Sequence, residues 1–321
     1  MKKIGDPIPK EVIMAELTPD KLLRKTNKGN NEIYIITHHD SPNTMKEIGR
    51  LREITFRDAG GGTGKDYDID HYDTSENCYR QLIVWNPDAE EILGGYRYIL
   101  CTNLPEDENG NLPLATARLF DFSDKFKKDY LAYSIELGRS FVIPQYQSSK
   151  AGFKALFALD NLWDGLGALT VVHPEIKYFF GKITMYTSFN VEARNLILYF
   201  FKKYFSDKDN LVIPKTPLNM NFDENFMKNI FCGTTYKENY RILTQNVRKH
   251  RENIPPLVNA YMNLSPSMKT FGTVINNFFG AVEETGIIVT IKDIYEAKKG
   301  RHIETYLKNR ILSAKDSSKT K

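Results

Sequence analysis

The sequence is poor in cysteine, has no long apolar run and carries almost no net charge. Its three cysteines, Cys78, Cys101 and Cys232, are too few and too widely spaced for a disulfide scaffold or a cysteine-based zinc site, and they fit a reducing compartment. No apolar stretch approaches the roughly 18 residues that a membrane span needs. The first residues also lack the apolar core of a secretion signal. We therefore expect a cytoplasmic protein.

A strong positive charge is missing too, which argues against a nucleic-acid partner. The chain has 44 Lys and Arg residues against 40 Asp and Glu residues, a formal charge of +4. This balance conceals an uneven distribution along the chain. Residues 58–76 hold six acids and one base, whereas residues 296–321 hold eight bases and three acids, and residues 237–251 hold five bases and one acid.

Motifs of several common enzyme classes are absent as well. The six histidines have no metal-ligand spacing and no Gly-x-Ser-x-Gly elbow occurs, so a serine or cysteine hydrolase is not expected. The glycine-rich segment from Gly60 to Gly64 continues into Lys65 and Asp66 and follows no predicted strand, which excludes a P-loop and a dinucleotide fingerprint. Two interpretations of this segment remain, a mobile loop that covers the substrate and a plain flexible connector.

The spacing of apolar residues predicts helices and strands in a mixed order. Four apolar residues at helical spacing indicate a helix at residues 44–57, and Thr44 with Glu47 has the pattern of a capping box at its start. Two strands separated by the turn Asn-Pro-Asp-Ala predict an antiparallel hairpin at residues 81–100. The other predicted elements are strands at 135–143, 178–185 and 286–294 and helices at 149–169 and 191–205.

This order predicts an α/β (α+β) fold in which helices cover a mixed sheet. We expect residues 1–40 to form an N-terminal extension, residues 41–310 one domain, and residues 311–321 a disordered polar tail. The helix at 191–205 carries aromatic residues and two lysines, a combination that suits a membrane surface. It is apolar nearly all round, however, which favours a buried core helix.

The acidic run Asp66, Asp68, Asp70 and Asp73 has several interpretations. An EF-hand loop starting at Asp66 would need a glycine where His71 stands. A metal–nucleotide Asp-x-Asp motif, attraction of a cationic amine substrate and a solvated acidic turn all remain open.

The most informative segment is Ile-Glu-Leu-Gly-Arg-Ser at residues 135–140, because it places a Glu and an Arg inside an apolar strand. Charged residues are rarely buried unpaired. Residues three apart point to opposite faces of a regular strand, but a bulge at Gly138 would let Glu136 and Arg139 face one cleft. A Glu in such a cleft becomes a usable base near neutral pH. A structural Glu–Arg ion pair is the alternative.

A second strand segment, Gly-Gly-Tyr-Arg at residues 94–97, combines two glycines with an arginine. Glycines in a strand indicate a close approach of another backbone or a ligand, and Arg97 would then clamp an anion. A kinked strand with a solvated Arg97 is the alternative.

Taken in order, these segments resemble one branch of the GNAT fold. They are Arg52-x-x-x-Phe56, the run from Asp68 to Asp73, Gly-Gly-Tyr-Arg and Glu-Leu-Gly-Arg-Ser. The branch contains the ornithine and glycine N-acyltransferases of aminolipid synthesis, often labelled hemolysin-like, and is related to the acyl-homoserine-lactone synthases. The resemblance covers residues 51–205 and continues through Ile-Pro-Pro-Leu-Val-Asn-Ala-Tyr at 254–261.

The resemblance implies a GNAT-like domain with a C-terminal extension and an acyltransferase that binds no metal or resident cofactor. The donor would be a fatty acyl thioester on the phosphopantetheine arm of acyl carrier protein, and the acceptor the α-amine of glycine or ornithine. GNAT acetyltransferases cradle CoA with an Arg/Gln-x-x-Gly-x-Gly/Ala loop. The matching stretch, residues 145–152, lacks that pattern, so CoA is the weaker donor candidate. Ser148, Ser149 and Lys150 at the following helix start would hold the phosphate of the arm.

Site roles follow from the same resemblance. Glu136 would act as the base, directly or through a water, and backbone N–H groups near Arg139 and Ser140 would stabilise the oxyanion. Arg97 and Arg139 would hold the acceptor carboxylate or the donor phosphate, and Asp70 and Asp73 would help to place the amine or order the loop. Arg52 and Phe56 complete the expected substrate-binding set.

Three other functions stay open at this point. They are an autoinducer synthase that uses S-adenosylmethionine, a non-catalytic acyl-binding module, and a metal-dependent sugar transferase that uses the acidic run. The basic segments predict an acidic carrier protein as partner, or a peripheral contact with anionic lipid at the inner face of the membrane. A merely solubilising tail is the alternative.

Overall fold

The structure, a computed structural model, describes residues 1–108, 110–147, 153–220 and 222–311. The chain divides into two compact units. The first comprises Met1–Thr102, Tyr133–Lys177 and the chain from Ile294, and the second comprises Asn103–Ala132 and Tyr178–Asp293. The expected division into residues 1–40 and 41–310 stays a prediction, and the first unit includes residues on both sides of position 40.

Ten strands are present in the described part of the chain. They are β1 (Leu22–Lys25), β2 (Glu32–Ile36), β3 (Arg80–Asn86), β4 (Glu91–Leu100), β5 (Phe120–Phe122), β6 (Ser134–Val142), β7 (Tyr178–Met185), β8 (Val212–Pro214), β9 (Lys269–Asn276) and β10 (Val282–Thr290).

Ten α-helices are present in the described part of the chain. They are α1 (Lys10–Glu16), α2 (Pro42–Asp58), α3 (His71–Thr74), α4 (Asp124–Asp129), α5 (Phe153–Val172), α6 (Val191–Phe205), α7 (Glu224–Ile230), α8 (Tyr236–Lys249), α9 (Pro256–Met262) and α10 (Glu296–Lys299). A π-helical turn, Gly300–Glu304, follows α10. No helix among the described residues is both long enough and apolar enough to cross a membrane.

The first unit is built on an antiparallel sheet with the strand order β1-β2-β3-β4-β6. Helices cover both of its faces. On β3, Gln81 accepts a hydrogen bond from Arg52 of α2, whereas the side chain of Leu82 lies against Gly165 of α5. Because consecutive strand residues point to opposite faces, α2 and α5 lie on opposite sides of the sheet.

The second unit has its own antiparallel strands, β7-β10-β9, and a two-stranded pair, β5-β8. Its helix α6 buries nine of its fifteen residues, among them Leu196, Phe200 and Phe201. The rings of α6 pack against Phe231 and against Tyr236 of α8. The prediction of a core helix is confirmed.

Several helices and strands begin or end at residues other than those predicted from the sequence. Helix α2 begins at Pro42, so the predicted capping box is wrong. The hydroxyl of Thr44 donates to Glu16, and Glu47 pairs with Arg50. The predicted N-terminal extension contributes β1 and β2 to the sheet of the first unit. The last predicted strand, 286–294, begins four residues earlier and ends four residues earlier, as β10.

Candidate active site

Three arginines and three aspartates form a buried network in the first unit. Arg52, on α2, donates through Nη1 to Asp73 at 3.2 Å and through Nη2 to Gln81. Gln81 in turn donates to Asp73 at 3.1 Å. Helix α2 thus places the fully buried Arg52 guanidinium against the face of the sheet that carries Gln81.

Asp73 is the shared acceptor of this network. Its carboxylate also accepts from the Asp70 backbone N–H, because Asp70 and Asp73 form the capping box of the short helix α3. Burial by itself would raise the pKa of Asp73, but Arg52 and Arg97 hold that pKa well below its ordinary value. Asp73 therefore stays ionised inside the protein.

Arg97 joins the network from β4. Its Nη1 donates to both oxygens of Asp70 at 2.9 Å and to Asp73 at 3.3 Å. Its guanidinium also lies over the rings of Tyr72 and Tyr79, 5.5 and 5.1 Å from their centroids. Burial would lower the pKa of Arg97, but the two carboxylates raise it.

Arg139 reaches the same network from a bulge in β6. The β4–β6 register breaks so that Arg139 and Ser140 both lie opposite Tyr96. The predicted bulge is therefore present, directly after Gly138. Arg139 adopts a positive φ of 49° and places Nε 2.8 Å from Asp68 and Nη2 3.8 Å from Asp70.

Glu136 lies on the same face of the sheet as Arg97. Glu136 is paired with Ile99 in the register, and Arg97 with Gly138, so all four share one face. The Glu136 side chain is almost fully buried. The Cys101 thiol donates to the Ile99 carbonyl at 3.9 Å, and burial, followed by the nearby Glu136 charge, raises the pKa of that thiol. A raised pKa keeps the Cys101 thiol protonated, so it is not an activated nucleophile.

The chain is similar to known acyltransferases over almost its whole length. An acetyltransferase (GNAT) domain matches residues 51–156, which contain the whole network. A glycine N(alpha)-acyltransferase of Phocaeicola vulgatus is 60% identical over 308 residues, covering 96% of this chain and 94% of the relative. Its counterpart in Bacteroides thetaiotaomicron is 59% identical over 309 residues, covering 96% and 92%. The chain belongs to this N-acyltransferase family. No solved structure matches it.

The access to the network of this acyltransferase is restricted. The side chains of Arg52, Asp68 and Asp73 are 0% exposed and that of Arg97 is 3% exposed. Arg139 and Asp70 are 10% and 20% exposed. Arg97, the expected anion clamp, is paired with Asp70 and Asp73 in this structure, and its role towards a substrate stays a prediction. Asp70 and Arg139 are the members that a substrate can reach.

The two strand glycines are explained by neighbouring backbone. A Cβ on Gly94 would lie 2.3 Å from the Phe141 carbonyl oxygen of β6, and one on Gly95 would lie 2.7 Å from the Leu82 carbonyl oxygen of β3. The close approach predicted for this segment is therefore made by the flanking strands. The missing side chain at Gly94 lets β6 lie close to β4 beside the bulge.

The glycine-rich loop is anchored to α2, which corrects the expectation of a mobile or flexible segment. Buried Glu53 accepts from the Thr63 N–H at 3.0 Å, the Thr63 hydroxyl at 2.7 Å and the Gly64 N–H at 2.7 Å. Gly60, Gly62 and Gly64 all have positive φ, which glycine adopts at little cost.

The remaining predicted residues fall in different places. Phe56 is a buried core residue of α2, and Ser140 is half-buried in the bulge. Ser148, Ser149 and Lys150 lie outside the described residues. The acidic run is not a solvated turn, because Asp68 and Asp73 are buried against arginines. Within the described ranges, no group of three His, Cys, Asp or Glu side chains is arranged to hold a metal ion.

The prediction missed Gln81, Tyr79 and Glu53. Gln81 follows the same rule that singled out Glu136, since it is a polar residue in the otherwise apolar strand Gln-Leu-Ile-Val-Trp. Glu53 had no comparable signal, because an acid on an amphipathic helix is ordinary.

Proposed function

We propose that this acyltransferase moves a (3-hydroxy) fatty acyl group from acyl carrier protein to the α-amine of glycine. The observation that carries the proposal is the 60% identity with a glycine N(alpha)-acyltransferase along 96% of the chain. The product would be an N-acyl amino acid, the first intermediate of an aminolipid. Ornithine is the second candidate acceptor.

The charge of the site supports an ammonium substrate. With Glu136 ionised, four carboxylates (Asp68, Asp70, Asp73 and Glu136) face three arginines (Arg52, Arg97 and Arg139), so the set has an excess of 4 − 3 = 1 negative charge. The ammonium end of a zwitterionic amino acid would be attracted to this excess. Partly exposed Asp70 is the carboxylate best placed to receive it.

In the proposed reaction, Glu136 takes a proton from the ammonium, directly or through a water. The amine nitrogen then attacks the thioester carbonyl carbon and forms a tetrahedral oxyanion. Backbone N–H groups of β6 at the bulge, around Arg139 and Ser140, would stabilise that charge. The C–S bond then breaks as the amide forms, and the thiolate of the pantetheine arm leaves. Glu136 gives the proton that it took from the ammonium group to this thiolate. A second proton from the amine goes to solvent.

The acceptor and the donor are tested in one competition experiment. Purified enzyme is incubated with 3-hydroxyacyl carrier protein and an equimolar mixture of glycine, ornithine and S-adenosylmethionine, and the products are identified by mass spectrometry. A parallel reaction uses the same acyl group on CoA. We expect N-acylglycine as the main product and faster turnover from the carrier protein.

Other products would contradict the proposal in distinct ways. A predominant N-acylornithine would reassign the acceptor within the same chemistry. An acyl-homoserine lactone would indicate an autoinducer synthase. Binding of the acyl carrier without any product would indicate a non-catalytic module.

A further inference from the structure

Helix α8 of the second unit presents a row of cations to solvent. Lys237, Arg241 and Arg248 are all exposed. Residues at i, i+4 and i+11 fall within about 40° of one another around an α-helix of 3.6 residues per turn, and the row extends about 16 Å along the axis. The opposite side of α8 buries Asn239, Leu243 and Val247.

These three cations make no ion pair among the described residues, unlike many other basic side chains of the second unit. Lys125, Lys127, Lys182 and Arg194 each lie within 3.0 Å of a carboxylate oxygen. The one acid on α8, Glu238, is used in the capping box, where it accepts from Thr234 and Thr235. Like charges four residues apart, as at Lys237 and Arg241, weaken an isolated helix. The row therefore lacks an internal counter-charge.

We infer that this row on α8 is the docking surface for the acidic face of the carrier protein that delivers the acyl group. The inference rests on the proposed donor. Complementary charge accelerates encounter and sets orientation between proteins. A row of exposed cations along one helix matches an acidic protein surface in sign.

An anionic membrane is the rival occupant, and the composition of α8 argues against it. A helix that binds in a membrane interface inserts an apolar face between the headgroups. Among the aliphatic residues of α8, Leu243 and Val247 are buried and Ile242 is half-buried. The exposed positions are polar or charged: Lys237, Glu238, Arg241, Gln245, Arg248 and Lys249. The exposed side of α8 thus offers charge without apolar side chains to insert.

Charge reversal on the row tests the inference. We compare wild-type enzyme with Arg241→Glu/Arg248→Glu and with a matched control, Lys128→Glu/Lys208→Glu, which reverses two exposed lysines outside α8. Initial rates are measured with acyl carrier protein and with the same acyl group on free pantetheine. Thermal melts confirm that each variant is folded.

We expect the α8 variant to raise the KM for acyl carrier protein about tenfold or more, while the control changes it less than twofold. Turnover from acyl-pantetheine should fall less than twofold. Added salt should raise the KM of the wild type more than that of the α8 variant.

Four results would overturn the inference. One is an α8 variant whose KM for acyl carrier protein equals that of the wild type, while the wild type is active with this donor. That result would leave the proposed function intact. Another is an equal loss with both donors. A third is loss of binding to vesicles of anionic phospholipid with an unchanged KM for the carrier. In the fourth, wild-type enzyme accepts only carrier-free thioesters, and the proposed donor fails as well.

Discussion

Asp73 is a shared acceptor in the buried network of arginines and aspartates. It accepts from Arg52, Arg97, Gln81 and the Asp70 backbone while fully buried. Removing its charge leaves two buried arginines without their main counter-ion. A buried ion pair that loses one partner typically costs about 3–5 kcal/mol.

Asp73→Asn is therefore expected to lower the free energy of unfolding by about 3–5 kcal/mol, measured by urea denaturation at pH 7. Asp121→Asn is the control, because Asp121 is exposed and lies 3.6 Å from Lys215. The control should change the free energy by less than about 1 kcal/mol. Equal, small effects of both substitutions would show that the network does not depend on Asp73.

The residues of this network were partly predictable from sequence, but their pairings were not. Arg97, Glu136 and Arg139 stand out because charged groups interrupt apolar strands. Arg97 pairs with Asp70, 27 residues away, and Arg52 with Asp73, 21 residues away. Such distant pairings are set by the packing of α2 and α3 on the sheet, which local patterns do not encode.

At the scale of elements, the junction of β4 and β6 beside the bulge depends on Gly94. Gly94→Ala would place its Cβ 2.3 Å from the Phe141 carbonyl oxygen, so the two strands would have to separate. We expect a loss of about 2 kcal/mol or more in the free energy of unfolding, in the range of overpacking.

Gly138→Ala is the matched control on the partner strand. A Cβ there would meet its nearest atom, Arg97 Nε, at 3.6 Å, an ordinary contact. This variant should stay within about 1 kcal/mol of wild type in chemical denaturation. A Gly94→Ala protein as stable as Gly138→Ala would contradict the close approach of the two strands.

Hydrophobic patterns identified the elements whose buried faces are apolar and missed those whose buried faces are polar. Helix α6 and strand β7 have the predicted bounds. The start of β10 was missed because Glu283 and Glu284 occupy it, and they are satisfied by Arg194 and Lys182. Strand β9 was missed because two of its buried positions are Thr270 and Thr273.

At the scale of the whole molecule, each compact unit is assembled from separate segments of sequence, because the chain passes between the two units four times. Composition changes along a sequence detect linkers between consecutive domains. They cannot detect units assembled from separated segments, such as Asn103–Ala132 and Tyr178–Asp293.

The buried carboxylates should make the molecule sensitive to acid. Burial would raise the pKa of Asp73 and of Glu53, but arginine neighbours of Asp73 and the hydrogen bonds of Glu53 to Thr63, Arg57 and Gly64 lower both values. A carboxylate with a depressed folded-state pKa stabilises the fold fully above its unfolded-state value of about 4. That contribution is lost as the pH falls from about 5 through the folded-state pKa.

Urea denaturation across a pH series measures this effect. We expect the free energy of unfolding of the wild type to decline steadily below about pH 5. In Asp73→Asn and Glu53→Gln the decline should be shallower, since one titrating group is gone from each. A wild-type stability that is constant down to about pH 3.5, or equally steep slopes in the variants, would rule out the assigned ionisation states.

The most direct test of the central claim is the rate of N-acylglycine formation from 3-hydroxyacyl carrier protein and glycine by wild-type enzyme and by Glu136→Gln. Glutamine has nearly the same shape as glutamate but cannot take the amine proton. Wild type should form N-acylglycine, and the folded variant should form it about 10²–10⁴ times more slowly, the usual contribution of a general base. A wild-type enzyme that forms no N-acylglycine would contradict the proposed reaction, and a Glu136→Gln enzyme that acylates glycine at the wild-type rate would contradict the role of Glu136 as base.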